Sequence, residues 1–498
     1  MKIRDIIGSA LLSIATNFPL ASATTSAKPP LLLYNQFPRI WDMDFEGMTK
    51  YLPTIKQLGF NAVWVNPFMK TSKHTMVLRQ HKGTGEQIKV IRSLYAMFDP
   101  SLIETETYTE LSEGDPSFSG KEKGDKIRNY TETAKKLGLT PIFDLVLNHV
   151  SRDSPLVAGT FAYFIKRGID TSEWFKREVA GKWDDVVPFD YDKEGNVEEI
   201  FTNLWKPFIE KMMKVYGFSG VRLDFATGPK VNPEIIRRCI EFIKSLNPKA
   251  EIFAEDLYPG SREDRERHVL TKSRSLGFTH VTNIAMYTPE LGIGNKAVCE
   301  PILENLGLKK LMTHDTCDFR PGTIGFPGSH DAGPLLLMAK NAQDPDTDPV
   351  QVAKKRIAIA AFTSDAGWYL LAGDEDLSNT VQSPFVRQDG AKFSKTELEL
   401  QKDTSIHGFI SSINKTFEQL RSAPNFFWSE IFYSEDKKFL FFVRHLGSGE
   451  VKHDTDIVKV KICADAGVFP TDEQVFDYLK SCNAELMNSG NLQFYEVG

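Results

Sequence analysis

The sequence has few cysteines, and their spacing gives no support for a zinc site. Its 498 residues contain five cysteines, and no two of them form a CxxC pair. Cysteine-based zinc sites commonly use such pairs, so a site of this kind is not expected. In an exported chain five cysteines leave at least one unpaired. Cys463 and Cys482 are close enough in the sequence to bridge, but spacing alone does not establish the bond.

The sequence also lacks a long apolar run after its first residues and lacks an excess of positive charge. No later segment has the roughly 18 unbroken apolar residues that a membrane span needs. The formal net charge is −6, and the basic residues are spread along the chain rather than clustered. The sequence therefore gives no sign of the basic patch by which a protein usually binds nucleic acid, and no nucleic-acid partner is expected. With 41% hydrophobic and 25% charged residues, the composition is that of a globular chain with one large and one smaller domain.

The first residues have the pattern of a secretory signal peptide. Lys2 and Arg4 precede an apolar stretch over residues 6–20, which Ala21-Ser-Ala23 follows. We expect a signal peptide over residues 1–23, with the mature protein secreted or periplasmic and free of the membrane. An uncleaved anchor and a poorly ordered tail are the alternatives, because Asp5 interrupts the charged region.

Eight short apolar runs alternate with amphipathic, helix-like segments over most of the chain. This alternation predicts an α/β fold, and the count of eight favours a closed (β/α)8 TIM barrel. We place the barrel at residues 30–425. The eight runs cover residues 31–37, 61–67, 139–149, 219–225, 250–256, 278–285, 322–328 and 367–373.

Two further segments interrupt or follow this alternation. About 50 residues pass between the third run and the helix before the fourth, and we interpret residues 150–200 as a short inserted subdomain over the carboxyl ends of the strands. From about residue 426 the pattern changes to strands with polar turns. Residues 426–498 are therefore predicted to form a small C-terminal antiparallel β domain.

Charged and polar side chains lie where the predicted strands end. They are Asp144, Asn148, His149, Arg222, Asp224, Glu255, His330 and Asp331. Each alone has a structural explanation, and Arg222 with Asp224 could be a simple ion pair on one face of a strand. In a barrel these side chains share the mouth, the end formed by the carboxyl ends of the strands. Several carboxylates close together repel one another, so their presence there favours a functional site that uses their charge.

Three carboxylates with an arginine, and without a cluster of metal ligands, suit the chemistry of glycosidic bonds. In that chemistry one carboxylate attacks the anomeric carbon while a second protonates the leaving oxygen. Retention of configuration requires the two to lie about 5–5.5 Å apart, which the ends of adjacent strands can provide. An arginine beside the nucleophile lowers the pKa of that carboxylate, whereas dry surroundings raise the pKa of the acid.

Four segments resemble, in order and on the expected strands, the short conserved segments of the α-amylase family of retaining α-glycosidases and transglycosidases. They are "DLVLNH" (144–149), "GVRLDF" (220–225), "EIFAED" (251–256) and "FPGSHD" (326–331). The resemblance implies that Asp224 is the nucleophile and Glu255 the general acid/base. It also implies that Asp331 holds the sugar hydroxyls, and that Arg222 orients Asp224 and keeps it ionised.

The resemblance implies further contacts to the substrate and a structural metal. His149 and His330 would hydrogen-bond the same sugar, and Tyr95 would be the aromatic platform beneath it. Asn148 matches a position that ligates a structural calcium ion in many members, with oxygen ligands from the inserted segment also required. No cofactor is implied for the chemistry itself.

Two positions depart from the family pattern. Many members carry a Lys-His pair shortly after the nucleophile, where this chain has Phe225-Ala226-Thr227-Gly228, and Ser329 stands where Asn is common. Both changes concern the acceptor side more than bond breaking. They leave the acceptor, and with it the exact substrate, open.

Three functions are weighed on this basis. The first is a retaining hydrolase that acts on the α-glucosidic bonds of maltooligosaccharides or short α-glucans, and we expect it to be a monomer. The second is an α-glucan transglycosylase that uses the same residues and transfers the sugar to a sugar or sugar-phosphate acceptor. The third is a non-catalytic barrel that binds a sugar or a protein.

Overall fold

The structure is a computed structural model in which most of the barrel and its surroundings are described. Residues 1–23, predicted as a signal peptide, lie outside the described residues, and so does Asp331. The described residues are 29–38, 41, 45–69, 75–80, 87–91, 93–98, 120–176, 185–226, 232–255, 275–282, 322–330, 335, 349–362, 364, 366–377, 404–422, 426–433, 439–446, 456–463 and 492–496.

Sixteen strands are present in the described part of the chain. In order they are β1 (Leu31–Gln36), β2 (Ala62–Val65), β3 (Thr75–Gln80), β4 (Gln87–Ile91), β5 (Thr140–Leu145), β6 (His149–Ser151), β7 (Val186–Pro188), β8 (Gly220–Leu223), β9 (Glu251–Ala254), β10 (His280–Thr282), β11 (Gly322–Gly325), β12 (Gly367–Leu371), β13 (Phe426–Tyr433), β14 (Phe439–Leu446), β15 (Asp456–Cys463) and β16 (Leu492–Glu496).

Eight of these strands close into a barrel. Their order around it is β1-β12-β11-β10-β9-β8-β5-β2, and every neighbouring pair is parallel. The predicted (β/α)8 barrel is thereby confirmed. Strands such as β1, β2, β8 and β12 are buried along their whole length, because the interior covers one face and helices cover the other.

The α-helices in the described part of the chain are α1 (Phe45–Gln57), α2 (Gly120–Lys136), α3 (Ala162–Ile165), α4 (Asn196–Ile200), α5 (Lys206–Glu210), α6 (Pro233–Leu246), α7 (Pro349–Phe362) and α8 (His407–Ser422). Turns of π-helix at Phe201–Trp205 and Lys211–Val215 extend the run around α5, and short 3-10 helices lie at Thr171–Trp174, Asp374–Asp376 and Thr404–Ile406. None of the described helices combines the length and apolar character needed to cross a bilayer.

Close packing between helix and strand depends on a glycine in β11. A Cβ atom on Gly325 would lie 2.0 Å from the carbonyl oxygen of Ala360 in α7. No side chain fits at that distance, so the helix backbone can approach the sheet only because residue 325 is glycine.

Among the described residues, three small sheets lie outside the barrel. β3 pairs with β4 and β6 pairs with β7, each antiparallel, and β6 and β7 fall within or beside the predicted insertion at 150–200. At the C-terminus β13, β14 and β15 are antiparallel, while β16 runs parallel to β15. The boundaries of the insertion and of the C-terminal domain stay predictions.

The barrel interior beneath the mouth is filled by aromatic rings. Trp64 of β2 meets the rings of Phe253 in β9 and Tyr369 in β12 edge-on, at centroid distances of 5.5 Å and 5.4 Å. All three side chains are buried. This layer forms a dry floor below the carboxyl ends of the strands, on which polar side chains can be held in fixed positions.

Candidate active site

Strands β5, β8 and β9 place four charged residues side by side. Asp144 in β5 and Arg222 in β8 are paired across the two strands. Hydrogen bonding continues past the strand ends, because the Asp224 N–H donates to the carbonyl oxygen of Leu145 at 3.0 Å. Sheet geometry therefore fixes the backbone of the carboxylate that follows β8.

The guanidinium of Arg222 is the centre of the cluster. Its Nη1 atom donates to Oδ1 of Asp224 at 2.8 Å and to both carboxylate oxygens of Asp144 at 2.9 Å. Its Nη2 atom lies 2.6 Å from Oε1 of Glu255. Burial lowers the pKa of Arg222, but the surrounding carboxylates outweigh this effect and hold the pKa well above its usual value. The arginine keeps its charge and bridges the two predicted catalytic carboxylates.

The sequence places Asp144 among the polar residues at the ends of the barrel strands but indicates no function for it. Besides Arg222 it accepts hydrogen bonds from Trp64 Nε1 at 3.3 Å and from the Tyr95 hydroxyl at 2.8 Å. Burial raises the pKa of Asp144 from 3.8 to about 6, against the lowering effect of Arg222. The side chain is a buried acceptor that shares Nη1 of Arg222 with Asp224 and helps to fix the guanidinium.

Tyr95 joins the cluster through its hydroxyl group. Four atoms surround this oxygen: Asn66 Nδ2 at 2.8 Å, Asp144 Oδ2 at 2.8 Å, His330 Nε2 at 3.0 Å and Arg222 Nη1 at 3.1 Å. The ring of Tyr95 stacks on that of His330, with centroids 5.5 Å apart and planes 6° apart. Asn66, which the sequence analysis missed, is thus part of the site. Its signal was only that it directly follows a barrel strand.

The remaining predicted residues lie around this core. His149 begins β6 and is buried, and burial lowers its pKa to about 4, so its imidazole is neutral at neutral pH. His330 reaches the cluster through Tyr95. The described residues thus bring Tyr95, Arg222, Asp224, Glu255 and His330 into one hydrogen-bonded group.

Asn148 contacts the predicted nucleophile. Its Nδ2 atom donates to the main-chain oxygen of Asp224 at 3.0 Å and approaches Oδ2 of Asp224 at 3.3 Å. Calcium takes about six to eight oxygen ligands. Within the described ranges no group of three His, Cys, Asp or Glu side chains could hold a metal ion. The calcium ligand at Asn148 stays a prediction.

The raised pKa of Asp144 predicts a pH-dependent contribution to stability. Between about pH 4 and pH 6 the folded chain holds a proton on Asp144 that the unfolded chain has released. This contribution is fully present below the unfolded pKa and is lost as the pH rises through 6, with a limiting slope of about 1.4 kcal/mol per pH unit. Urea unfolding of the protein and of Asp144→Asn, which cannot titrate, should show their difference in free energy of unfolding fall over this range. A difference that is independent of pH would contradict the prediction.

Removal of the Tyr95 hydroxyl is expected to destabilise the site without removing the ring. Tyr95→Phe removes the hydroxyl to which the buried Asn66 Nδ2 donates, and it removes one of the hydrogen bonds that Asp144 accepts, at a cost of about 1–3 kcal/mol. Thermal and urea unfolding would measure this loss. The exposed pair Thr202 and Glu198 offers a matched control, because Thr202→Val removes a hydroxyl that also donates to a carboxylate, at 2.9 Å. Equal losses in the two variants would contradict a special role for the buried network.

The geometry permits the reaction that the motifs predicted. Two carboxylates, one on each side of a single guanidinium, can supply a nucleophile and an acid to one glycosidic bond. The dry aromatic floor strengthens electrostatic interactions at that point. These features belong to the arrangement of the residues and do not depend on any likeness to other proteins.

Comparisons with known proteins agree with this interpretation. Residues 39–206 match the family model described as alpha amylase, catalytic domain. A crystal structure of an α-amylase from Lactobacillus plantarum is similar, with a TM-score of 0.56 and 17% identity over 83% of this chain and 85% of that chain. Comparison with curated protein sequences gives no match.

Two further solved structures have similar folds. An α-amylase from Geobacillus thermoleovorans, complexed with acarbose, has a TM-score of 0.57 and 16% identity over 86% of this chain and 85% of that chain. A debranching enzyme from Nostoc punctiforme has a TM-score of 0.55 and 16% identity over 87% of this chain and 88% of that chain. At these identities the likeness concerns the fold.

Proposed function

We propose that this chain, of which residues 39–206 match the alpha-amylase catalytic domain model, is a retaining glycoside hydrolase that cleaves α-glucosidic bonds of maltooligosaccharides or short α-glucans. The observation that carries the proposal is the placement of Asp224 and Glu255 on the two terminal nitrogens of one buried arginine, at 2.8 Å and 2.6 Å. This arrangement provides two carboxylates on one mouth, as double displacement requires.

The proposed reaction has two steps. Asp224 attacks the anomeric carbon while Glu255 gives its proton to the leaving oxygen, so that the carbon–oxygen bond breaks and a covalent glycosyl ester forms on Asp224. Water then attacks the same carbon. Glu255 takes the proton of that water, Asp224 leaves as a carboxylate, and both groups return to their starting states.

Other residues of the cluster hold these two in place. Arg222 and Asn148 each donate a hydrogen bond to Asp224, on different carboxylate oxygens. Each donor stabilises the negative charge that reappears on Asp224 when the ester is hydrolysed. For Asp331 we carry over from the family resemblance the role of holding the sugar hydroxyls.

Product analysis on maltoheptaose tests the proposal. NMR during the first minutes should show shorter maltooligosaccharides released as the α-anomer. First release of the β-anomer would overturn the retaining mechanism, and no turnover would overturn the hydrolase. Acarbose, which is bound in the Geobacillus structure, is a useful ligand probe, since binding without turnover would favour a sugar-binding barrel.

The transglycosylase alternative rests on the residues that follow the nucleophile. Many family members have a Lys-His pair shortly after the nucleophile, on the acceptor side of the site. This chain has Phe225-Ala226-Thr227-Gly228 there instead. A transferase would form products longer than maltoheptaose at high substrate concentration. Exclusive conversion to shorter sugars would exclude this alternative.

A further inference from the structure

Phe225, directly after the candidate nucleophile, has an unusual backbone conformation. Its φ angle is 46°, in the left-handed region, and Leu377 is the other non-glycine residue with positive φ among those described. For a bulky L-residue this conformation costs about 1–2 kcal/mol. It persists only where the surrounding structure holds it in place.

The hydrogen bonds of the next residues show what the conformation achieves. In an extended strand, successive N–H groups point to opposite neighbours. The Asp224 N–H follows this rule and bonds to Leu145, but the N–H groups of Phe225 and Ala226 both bond to Glu255. The Phe225 N–H follows the alternation towards the β9 side, and the left-handed backbone of Phe225 turns the next amide, that of Ala226, to the same residue.

Glu255 is consequently held from several sides by the segment that carries the nucleophile. Its Oε2 accepts the Phe225 N–H at 2.9 Å, and its main-chain oxygen accepts the Ala226 N–H at 3.1 Å. Its own N–H donates to Leu223 at 2.9 Å, and Arg222 holds Oε1. The Phe225 amide and Arg222 thus each contact one oxygen of the Glu255 carboxylate.

We propose that Phe225, through its left-handed backbone, is a positioning residue that orients Glu255 as the general acid/base. The role rests on the proposed function, since it matters only if Glu255 protonates a leaving group. The aromatic ring is not required for it. Any residue that adopts positive φ should serve, and residues that avoid this region should not.

A graded series of substitutions separates backbone from side chain. Phe225→Gly and Phe225→Asn tolerate positive φ, Phe225→Ala tolerates it poorly, and Phe225→Val disfavours it strongly. Maltoheptaose needs a proton on its leaving group, whereas α-maltosyl fluoride releases fluoride, which leaves with little help from an acid. The first turnover on each substrate is measured, because hydrolysis of the ester also uses Glu255.

The result is read from the substrate ratio, which is the first-turnover rate on maltoheptaose divided by that on α-maltosyl fluoride. We expect Phe225→Val to lose about 100-fold on maltoheptaose and less than about fivefold on α-maltosyl fluoride. The Ala variant should show a loss on maltoheptaose between those of the Gly and Val variants, and it replaces the Val variant in the test if that variant does not fold. The Gly and Asn variants should keep the ratio of the unsubstituted protein.

A second site provides the matched control for strain. Leu377→Gly and Leu377→Val change the other left-handed residue, at φ 49°, and should change the melting temperature without changing the substrate ratio. Equal losses of Phe225→Val on both substrates, or a Gly variant as impaired as the Val variant, would overturn the positioning role. If the unsubstituted protein turned over neither substrate, the proposed function would fail and the positioning role with it.

Discussion

Asp224→Asn is expected to lower turnover of maltoheptaose by about 10⁴-fold or more while the fold is retained. Asparagine has nearly the same shape, and its amide oxygen can still accept the hydrogen bond from Arg222 Nη1. A neutral amide, however, is a poor nucleophile and cannot form the glycosyl ester. The loss should therefore appear in kcat, with little change in unfolding temperature.

The control for this substitution is the same chemical change at the surface. Asp192 pairs with Lys176 at 2.9 Å, and its side chain is 75% exposed. Asp192→Asn should leave kcat and the unfolding temperature essentially unchanged. Residual activity above about one tenth in Asp224→Asn, after separate purification of both variants, would contradict the role of Asp224 as nucleophile.

The barrel could be predicted from the sequence because its strands are buried on both faces. A strand of this kind is a short, nearly continuous apolar run, which is how residues 62–65 and 367–371 read in the sequence. Each of the eight predicted runs contains one barrel strand. The order of the runs then predicted which polar residues share the carboxyl-terminal mouth.

The pairing inside the site could not be predicted in the same way. That Asp144 lies opposite Arg222 depends on the register of β5 against β8, which apolar runs alone do not specify. Trp64 and Asn66 lie in and just after an apolar run, so their sequence pattern indicates only core and strand end. Their hydrogen bonds to Asp144 and Tyr95 depend on side chains from distant parts of the chain.

Phe225 illustrates a different limit. In the sequence it is an apolar residue that continues the alternation of β8, and this pattern gives no sign of a left-handed backbone. The conformation coincides with hydrogen bonds to Glu255, about 30 residues later in the chain. Local propensity alone would have predicted the opposite, because bulky residues disfavour positive φ.

Arg222→Met is expected to lower the free energy of unfolding by about 3–5 kcal/mol. Methionine fills much of the same volume, but the carboxylates of Asp144, Asp224 and Glu255 would lose their shared cation in a buried site. Buried, unpaired carboxylates are costly when ionised and much less so when protonated. The loss measured by urea unfolding should therefore be larger at pH 7 than at pH 5.

An exposed arginine provides the test of this reasoning. Arg238 also contacts two carboxylates, those of Glu198 and Glu234, but its side chain is 35% exposed, against 1% for Arg222. Solvent screens the charges around Arg238, so Arg238→Met should cost far less and show little dependence on pH. Arg222→Lys should fall between the two, because one ammonium group cannot donate in a planar fork to all three carboxylates. If both methionine variants lost the same stability, burial of the charge cluster would not be the reason that Arg222 matters.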